Sequence, residues 1–361
     1  VICHIFLIDS LYTRKFVLFL LKNFSPQEHI FWTVNPELYR DIGQANVQKL
    51  DPKNISEVAR FVKCAKKSSR VIIHSLFDAR LFFWLFFHKS LLKKSTWVIW
   101  GADAYDYLDA NYSLKGFRFF VKSRIKRFMK RFIIRNLDSI ACLVKGDYDY
   151  VKDYYKTRAI YKYVFYPNPV DIDILDSLKQ TDLKEVECKR ILVGNSASPT
   201  NRHVEILESL KAYGGNFEIL CPLSYGDKQY AQSVIDIGKR LFGDRFIPLT
   251  DLLDARSYAE VLNSVDVAVF NHKQQEALGN IFALLYLKKK VYIRSETTHW
   301  KTLKDLGVTL FDTNLILQGK ADLLAPLEEV YAERNREVIR REFSEENCPR
   351  LWANLFDSVN S

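Results

Sequence analysis

The chain has 361 residues, enough for two domains that each bury a full core and too few for three. Hydrophobic residues make up 48% and charged residues 27%, proportions that exclude a disordered or fibrous protein. The net charge of +10 is unevenly spread: residues 1–170 hold 29 Lys and Arg against 14 Asp and Glu, the remainder 24 against 29, so an anionic partner is expected on the first half.

In chain order, Val1–Ile8, Arg70–His74, Thr96–Trp100, Ser139–Val144 and Lys162–Phe165 read as short buried strands. Helical stretches lie between them near Tyr12–Lys22, Ile55–Lys67, Asp78–His88, Ser113–Asn136 and Asp147–Tyr155. Two prolines in Tyr166-Pro-Asn-Pro-Val-Asp171 break the rhythm, since neither a helix nor a central strand continues through them. It restarts with strands Arg190–Val193, Asn216–Cys221, Arg245–Ile247, Val265–Phe270 and Lys290–Ile293. These are followed by helices Asn201–Tyr213, Gln229–Leu241, Asp254–Ser264, Asn280–Leu287 and a short one from His299. Helical segments Lys320–Glu342 and Ser344–Ser358 close the chain. The alternation predicts two α/β, Rossmann-like doubly wound domains facing across a cleft, at 1–166 and 167–342, with a C-terminal helix at 343–361 that packs back on the first.

The longest apolar runs, Phe16–Leu21 and Leu81–Phe87, are too short to span a bilayer, and Val1–Ile8 lacks the basic flank of a signal peptide. The six cysteines are scattered without C-x-x-C and read as small core residues in a reducing compartment. Two D-x-D pairs, Asp147/Asp149 and Asp171/Asp173, are of the kind that hold a divalent ion on a diphosphate. The first reads as a helix N-terminus and the second as the end of the proline linker, so no metal is assigned.

The strongest local feature is Ile191-Leu-Val-Gly-Asn-Ser-Ala-Ser-Pro-Thr-Asn-Arg-His203, a strand running through small residues into a helix. Small side chains let backbone N–H groups approach an anion, so Gly194, Asn195 and Ser196 are candidate phosphate contacts, although an ordinary strand–turn–helix junction has the same look. A second junction, Asn271-His-Lys-Gln-Gln-Glu-Ala-Leu-Gly-Asn280, places Gly279 and Asn280 at a helix start and offers Gln274 and Gln275 to a sugar. Two such loops in one domain suit a diphosphate.

In the first half, His74 and Asp103 follow predicted strands, where open sheets place ligands, and are the candidate catalytic groups. From Lys115 to Arg135 nine Lys and Arg occur without an acid, among apolar residues at helical spacing. Arg118, Lys122, Lys126, Arg127, Lys130 and Arg131 are thus candidates for binding anionic lipid headgroups. Without an RNA- or DNA-binding pattern nearby, nucleic acid is not the expected partner.

Several stretches resemble the 4-acetamido-4,6-dideoxygalactose (Fuc4NAc) transferases of enterobacterial common antigen synthesis. They are His74-Ser-Leu-Phe, Trp97-Val-Ile-Trp-Gly-Ala-Asp103-Ala-Tyr-Asp106, Ile191–Ser196, Asn201-Arg-His203, Cys221-Pro-Leu-Ser-Tyr225, and Gln274-Gln275 with Gly279, in the family's order across roughly residues 70–310. Asn168-Pro-Val-Asp171 is similar to the N-G-V-D hinge of many two-domain transferases. The resemblance implies a GT-B fold and a peripheral enzyme on the cytoplasmic face of the bacterial inner membrane. It implies a dTDP-activated acetamido-dideoxy sugar as donor, a polyprenyl-diphosphate-linked saccharide as acceptor and a retaining outcome, with no cofactor beyond the donor. His203 and Tyr225 join the donor contacts on this basis. Paired carboxylates are not evident and the E-x7-E pattern is absent, with Leu284 eight residues after Glu276, so a front-side displacement is the expected route. The alternatives are a transferase of the same fold for another nucleotide sugar or acceptor, and a non-catalytic membrane- or polyanion-binding protein on that scaffold.

Overall fold

A computed structural model describes residues 1–8, 11–43, 45–105, 117–168, 170–178 and 188–357, without the side chains of residues 11, 102 and 117–122. The chain forms two compact units, Val1–Pro167 with Glu346–Ser361, and Asn168–Glu345. The first break lies within the predicted proline linker, and the second lies three residues beyond the predicted boundary at 342.

The first unit is built on seven strands: β1 (Ile2–Phe6), β2 (His29–Thr33), β3 (Val47–Lys49), β4 (Arg70–His74), β5 (Ser95–Val98), β6 (Ser139–Cys142) and β7 (Ile160–Tyr163). Their order is β3-β2-β1-β4-β5-β6-β7, with every pairing parallel. The helices are α1 (Leu11–Asn23), α2 (Ile55–Lys67), α3 (Ala79–Phe87), α4 (Lys89–Leu92), α5 (Phe117–Asn136) and α6 (Lys145–Tyr155). Alternate residues of each strand serve opposite faces. Cys3, Ile5, Ile73 and Trp97 pack with Phe61 of α2, Phe82 of α3 and Ile133 of α5. Ile2, Phe6, Phe31 and Ile72 pack with Phe16 and Leu20 of α1.

The second unit has six parallel strands: β8 (Lys189–Val193), β9 (Phe217–Pro222), β10 (Phe246–Leu249), β11 (Val267–Phe270), β12 (Lys290–Ile293) and β13 (Phe311–Asp312), in the order β10-β9-β8-β11-β12-β13. Its helices are α7 (Ile172–Ser177), α8 (His203–Tyr213), α9 (Lys228–Phe242), α10 (Ala255–Ser264), α11 (Leu278–Tyr286), α12 (Thr298–Asp305), α13 (Thr313–Leu317) and α14 (Glu329–Phe343). The last helix, α15 (Cys348–Asp357), belongs to the first unit: Trp352, Leu355 and Phe356 join the α1-side core, and Trp352 Nε1 donates to Phe165 O at 2.9 Å.

Strand order reverses direction between β1 and β4 in one unit and between β8 and β11 in the other. At such a point the connections leave the sheet in opposite directions, opening a crevice at the carboxyl ends of the two central strands. Several elements differ from the sequence reading. β2 and β3 were not anticipated; β3 is a three-residue polar edge strand with no apolar alternation to reveal it. β7 starts at Ile160, two residues early, because Ile160 N donates to Asp138 O at 3.0 Å and sets its register against β6. The helix anticipated from Lys320 starts only at Glu329, beyond Pro326, which has no N–H to continue a helical ladder.

Candidate functional site

The β8–β11 crevice of the second unit collects most of the residues singled out as donor contacts. Gly194 follows β8 with φ +73°, a region that only glycine enters without strain. A Cβ there would lie 2.7 Å from Asn201 Oδ1 and nearer still to His203 Nε2, so glycine is required by space as well as by conformation. The loop is held by β11 and by its own Asn201. Gly194 N donates to Val269 O at 3.0 Å, and Asn195 N to Asn201 Oδ1 at 2.9 Å. Asn201 Nδ2 donates to Ser196 Oγ at 3.2 Å. Two of the three backbone donors anticipated for a phosphate are therefore spent inside the protein, one on β11 and one on the loop, which corrects the reading of Gly194 and Asn195 as main-chain phosphate contacts.

What this loop presents is side chains. Asn195 bridges two neighbours: its Nδ2 donates to Tyr225 OH at 3.1 Å and its Oδ1 lies 3.0 Å from His272 Nε2. Tyr225 is exposed and Gln275 is buried. Glu276, not a candidate contact from the sequence, accepts from Thr200 Oγ1 at 2.9 Å and from Gln274 Nε2. Burial pushes its carboxyl up from the ordinary range. Main-chain donors are instead offered by α11. Its N-cap, Ala277, is left-handed at φ +60°, and Leu278, Gly279 and Asn280 form its first turn, whose N–H groups have no partner inside the helix. Asn168 Nδ2 donates to Gly279 O at 3.0 Å and fixes that turn.

Three buried polar atoms of the crevice residues have no protein partner: Gln274 Oε1, His272 Nδ1 and His203 Nε2. Burying such groups unpaired costs free energy unless a ligand or water meets them. Burial lowers His203 to about 4 and, with His299 and His203 nearby, His272 to about 3, so both rings are neutral donor–acceptor groups at pH 7. Neutral rings suit sugar hydroxyls, and the helix start suits an anion.

In the first unit, His74 ends β4 and is fully buried. Its Nδ1 is hydrogen-bonded to Tyr166 OH, which also accepts from Trp100 Nε1 at 3.0 Å. Asp103 is not the open base anticipated. Leu76 N (2.9 Å) and Trp97 Nε1 (2.8 Å) donate to its Oδ2, and Trp100 N donates to its Oδ1 (2.8 Å), all within a buried pocket. It ties the loop after β4 to the loop after β5. Burial raises its carboxyl above the ordinary range against the opposing effect of these donors.

Lys130 is also corrected. It is buried, and its Nζ donates to Asp103 O at 2.7 Å, so it holds the same loop and is not a lipid contact. Arg127 and Arg131 are exposed and Lys126 is half-buried, whereas Arg118 and Lys122 have side chains outside the described residues. Beside these cations the face is apolar: Phe83 and Phe87 of α3 are 47% and 63% exposed, and Ile125 and Phe128 of α5 are 52% and 62% exposed. Phe86 links the two helices, its ring centre 5.9 Å from Phe128 and 4.6 Å from Phe132. Among the described residues no helix is long and apolar enough to cross a membrane, and no His/Cys/Asp/Glu group could hold a metal. Of the D-x-D carboxylates, Asp147 accepts from Tyr105 OH at 2.6 Å and Asp171 from Ile174 N at 2.9 Å.

The family described as 4-alpha-L-fucosyltransferase, glycosyl transferase group 56, matches residues 16–328. The chain belongs to this family. It is a glycosyltransferase of the group 56 family. Similar solved structures include a glycosyltransferase from Rickettsia africae, at 12% identity over 100% of this chain and 99% of that one, with a TM-score of 0.70. The Anabaena protein HepE in complex with UDP and glucose is 11% identical over 99% of each chain, with a TM-score of 0.69. At such identities the likeness establishes the fold, two doubly wound parallel-sheet units of the GT-B type. Group 56 membership thus supports a fucosyltransferase-type family, coarser than the Fuc4NAc transferases that the motifs resemble.

Proposed function

We propose that this group 56 transferase moves a sugar from a nucleotide-diphosphate donor, held in the β8–β11 crevice, to a polyprenyl-diphosphate-linked saccharide gathered by the first unit. The observation that carries the reading is the crevice itself: a free helix start for the diphosphate beside buried, unpartnered Gln274 Oε1, His272 Nδ1 and His203 Nε2. HepE was crystallised with UDP and with UDP-glucose, which supports a nucleotide sugar as the ligand class. The Fuc4NAc-type motifs favour a dTDP-linked acetamido-dideoxy sugar, whose acetamido N–H would meet Gln274 Oε1.

In the transfer, the bond between the anomeric carbon and the diphosphate oxygen breaks as the acceptor oxygen bonds that carbon. The first turn of α11 stabilises the departing charge. As the sequence lacks the E-x7-E pair, front-side displacement with retention is the route proposed. The exposed Phe83, Phe87, Ile125 and Phe128, bordered by Arg127 and Arg131, support a peripheral enzyme that meets the cytoplasmic face of the inner membrane through this surface. Incubation with dTDP- and UDP-sugars and a polyprenyl-linked saccharide tests the reading. Transfer with release of the nucleoside diphosphate is expected. No transfer, and no thermal protection by either nucleotide, would overturn it.

A further inference from the structure

All six cysteines are free thiols, and two of them meet inside the first unit. Cys3 is the second residue of β1, which is flanked by β2 and β4, and it packs with Ile5 on the α2 side of the sheet. Cys64 lies in the last turn of α2. The two sulfurs are 3.5 Å apart although 61 positions separate them in the chain. Cys3 is fully buried, whereas Cys64 is half-buried at the edge of the same core. One thiol of the pair is therefore sealed and its neighbour borders solvent.

The surroundings of Cys3 are not those of a plain apolar core residue. Its Sγ lies 3.0 Å from Ser68 Oγ, and Ser68 Oγ donates to Cys64 O at 3.0 Å. With the serine proton on that carbonyl, the Cys3 S–H donates to Ser68 Oγ and is not directed at Cys64. Trp32 Nε1 on β2 is buried without a hydrogen-bond partner, and its N–H lies close enough to the Cys3 sulfur to favour negative charge there. Burial outweighs that help and pushes the Cys3 thiol up to about 12, so it remains a thiol at neutral pH. Cys64 is thus the sulfur that meets an oxidant first.

We propose that Cys64 and Cys3 form an oxidative modification site, in which Cys64 reacts with a peroxide and Cys3 closes a reversible disulfide onto it. In the first step the Cys64 sulfur bonds one peroxide oxygen and the O–O bond breaks. The other oxygen leaves with the Cys64 thiol proton as water, and a sulfenic acid remains. In the second step Cys3 Sγ bonds Cys64 Sγ and the S–O bond breaks. The departing hydroxide takes the Cys3 proton as a second water. Two thiols are oxidised to one disulfide, one peroxide is reduced to two waters, and a dithiol reductant restores the starting pair. Closure requires the sulfurs to approach by about 1.5 Å, to the ordinary S–S bond length. The bond joins β1 to α2 around a loop that contains β2 and β3, which restricts the unfolded chain and makes the oxidised protein more resistant to heat. None of this depends on the transferase reading.

Peptide mapping of the folded full chain after hydrogen peroxide tests the site, with remaining thiols blocked by N-ethylmaleimide before digestion. A peptide pair linked through Cys3 and Cys64 is expected, together with a Tm several degrees higher, and dithiothreitol should reverse both. Cys3→Ala is expected to stop at the Cys64 sulfenic acid, captured by dimedone, and Cys64→Ala to give neither a linked pair nor a dimedone adduct on Cys3. Unreacted thiols in the wild-type chain, Cys64 oxidised without a link to Cys3, or a link that forms only in urea would each overturn the proposal. If either variant fails to fold, the wild-type peptide map decides.

Discussion

Gly194 has no room for a side chain, and its consequences can be measured. Gly194→Ala places a methyl against Asn201 and His203 at φ +73°, so a loss of about 1–3 kcal/mol in a urea melt is expected, with nucleotide affinity falling alongside. Gln274→Met tests donor binding, paired with a urea melt because Gln274 Nε2 also donates to Glu276. Gln274 Oε1 has no protein partner, so its loss should weaken donor binding by roughly three- to tenfold in calorimetric titration, the worth of one hydrogen bond. The sequence pointed to Gly194 through its small-residue loop, but it could not show where the loop's own N–H groups go. Asn201 and Val269 claim two of them, and both partnerships depend on the folded junction. Asp103 was visible as a carboxylate after a glycine turn. Its three donors come from Leu76, Trp97 and Trp100, and only the pairing of β4 with β5 brings Leu76 to the others.

At the scale of elements, α5 shows how far a charge run can be read. Its eight cations and apolar stripe were plain in the sequence, yet nothing in the spacing distinguishes Lys130, directed inward to Asp103 O, from exposed Arg127 and Arg131. The exposed apolar face is set by the packing of α3 on α5, which leaves Phe83, Phe87 and Phe128 in solvent. Phe83→Ser with Phe87→Ser and Phe128→Ser is expected to weaken binding to anionic liposomes at least about tenfold in flotation assays, since each buried Phe is worth on the order of 2 kcal/mol. Lys130→Met should leave liposome binding intact and lower stability by about 1–3 kcal/mol, because Asp103 O loses a buried donor. Equal liposome loss in both variants would return the binding role to charge alone. The strand–helix alternation revealed most of the sheet order's ingredients, but not β2, whose five residues carry His29 to within 3.0 Å of His4.

Across the whole molecule, six histidines have depressed affinities for protons. Burial holds His29 and His203 at about 4 and His272 and His299 at about 3, and it puts His4 and His74 well below their ordinary value. Below the ordinary histidine pKa of about 6.5 the unfolded chain binds protons that the folded one refuses, so stability falls with pH across the window from 6.5 to 4. Unfolding at pH 5 is expected to take up about six protons at histidine, while the raised carboxyls of Asp103 and Glu276 act in the opposite sense. Melts in buffers of different ionisation enthalpy measure that uptake, and a pH-independent stability between 6.5 and 5 would contradict it. The two-unit α/β plan was legible because strand–helix alternation leaves a periodic trace; the choice of crevice was not, since it depends on strand order. That choice is the central claim, and hydrogen–deuterium exchange with saturating dTDP or UDP tests it most directly. Protection is predicted at residues 194–203 and 271–281, and protection confined to the first unit, or none with either nucleotide, would contradict it.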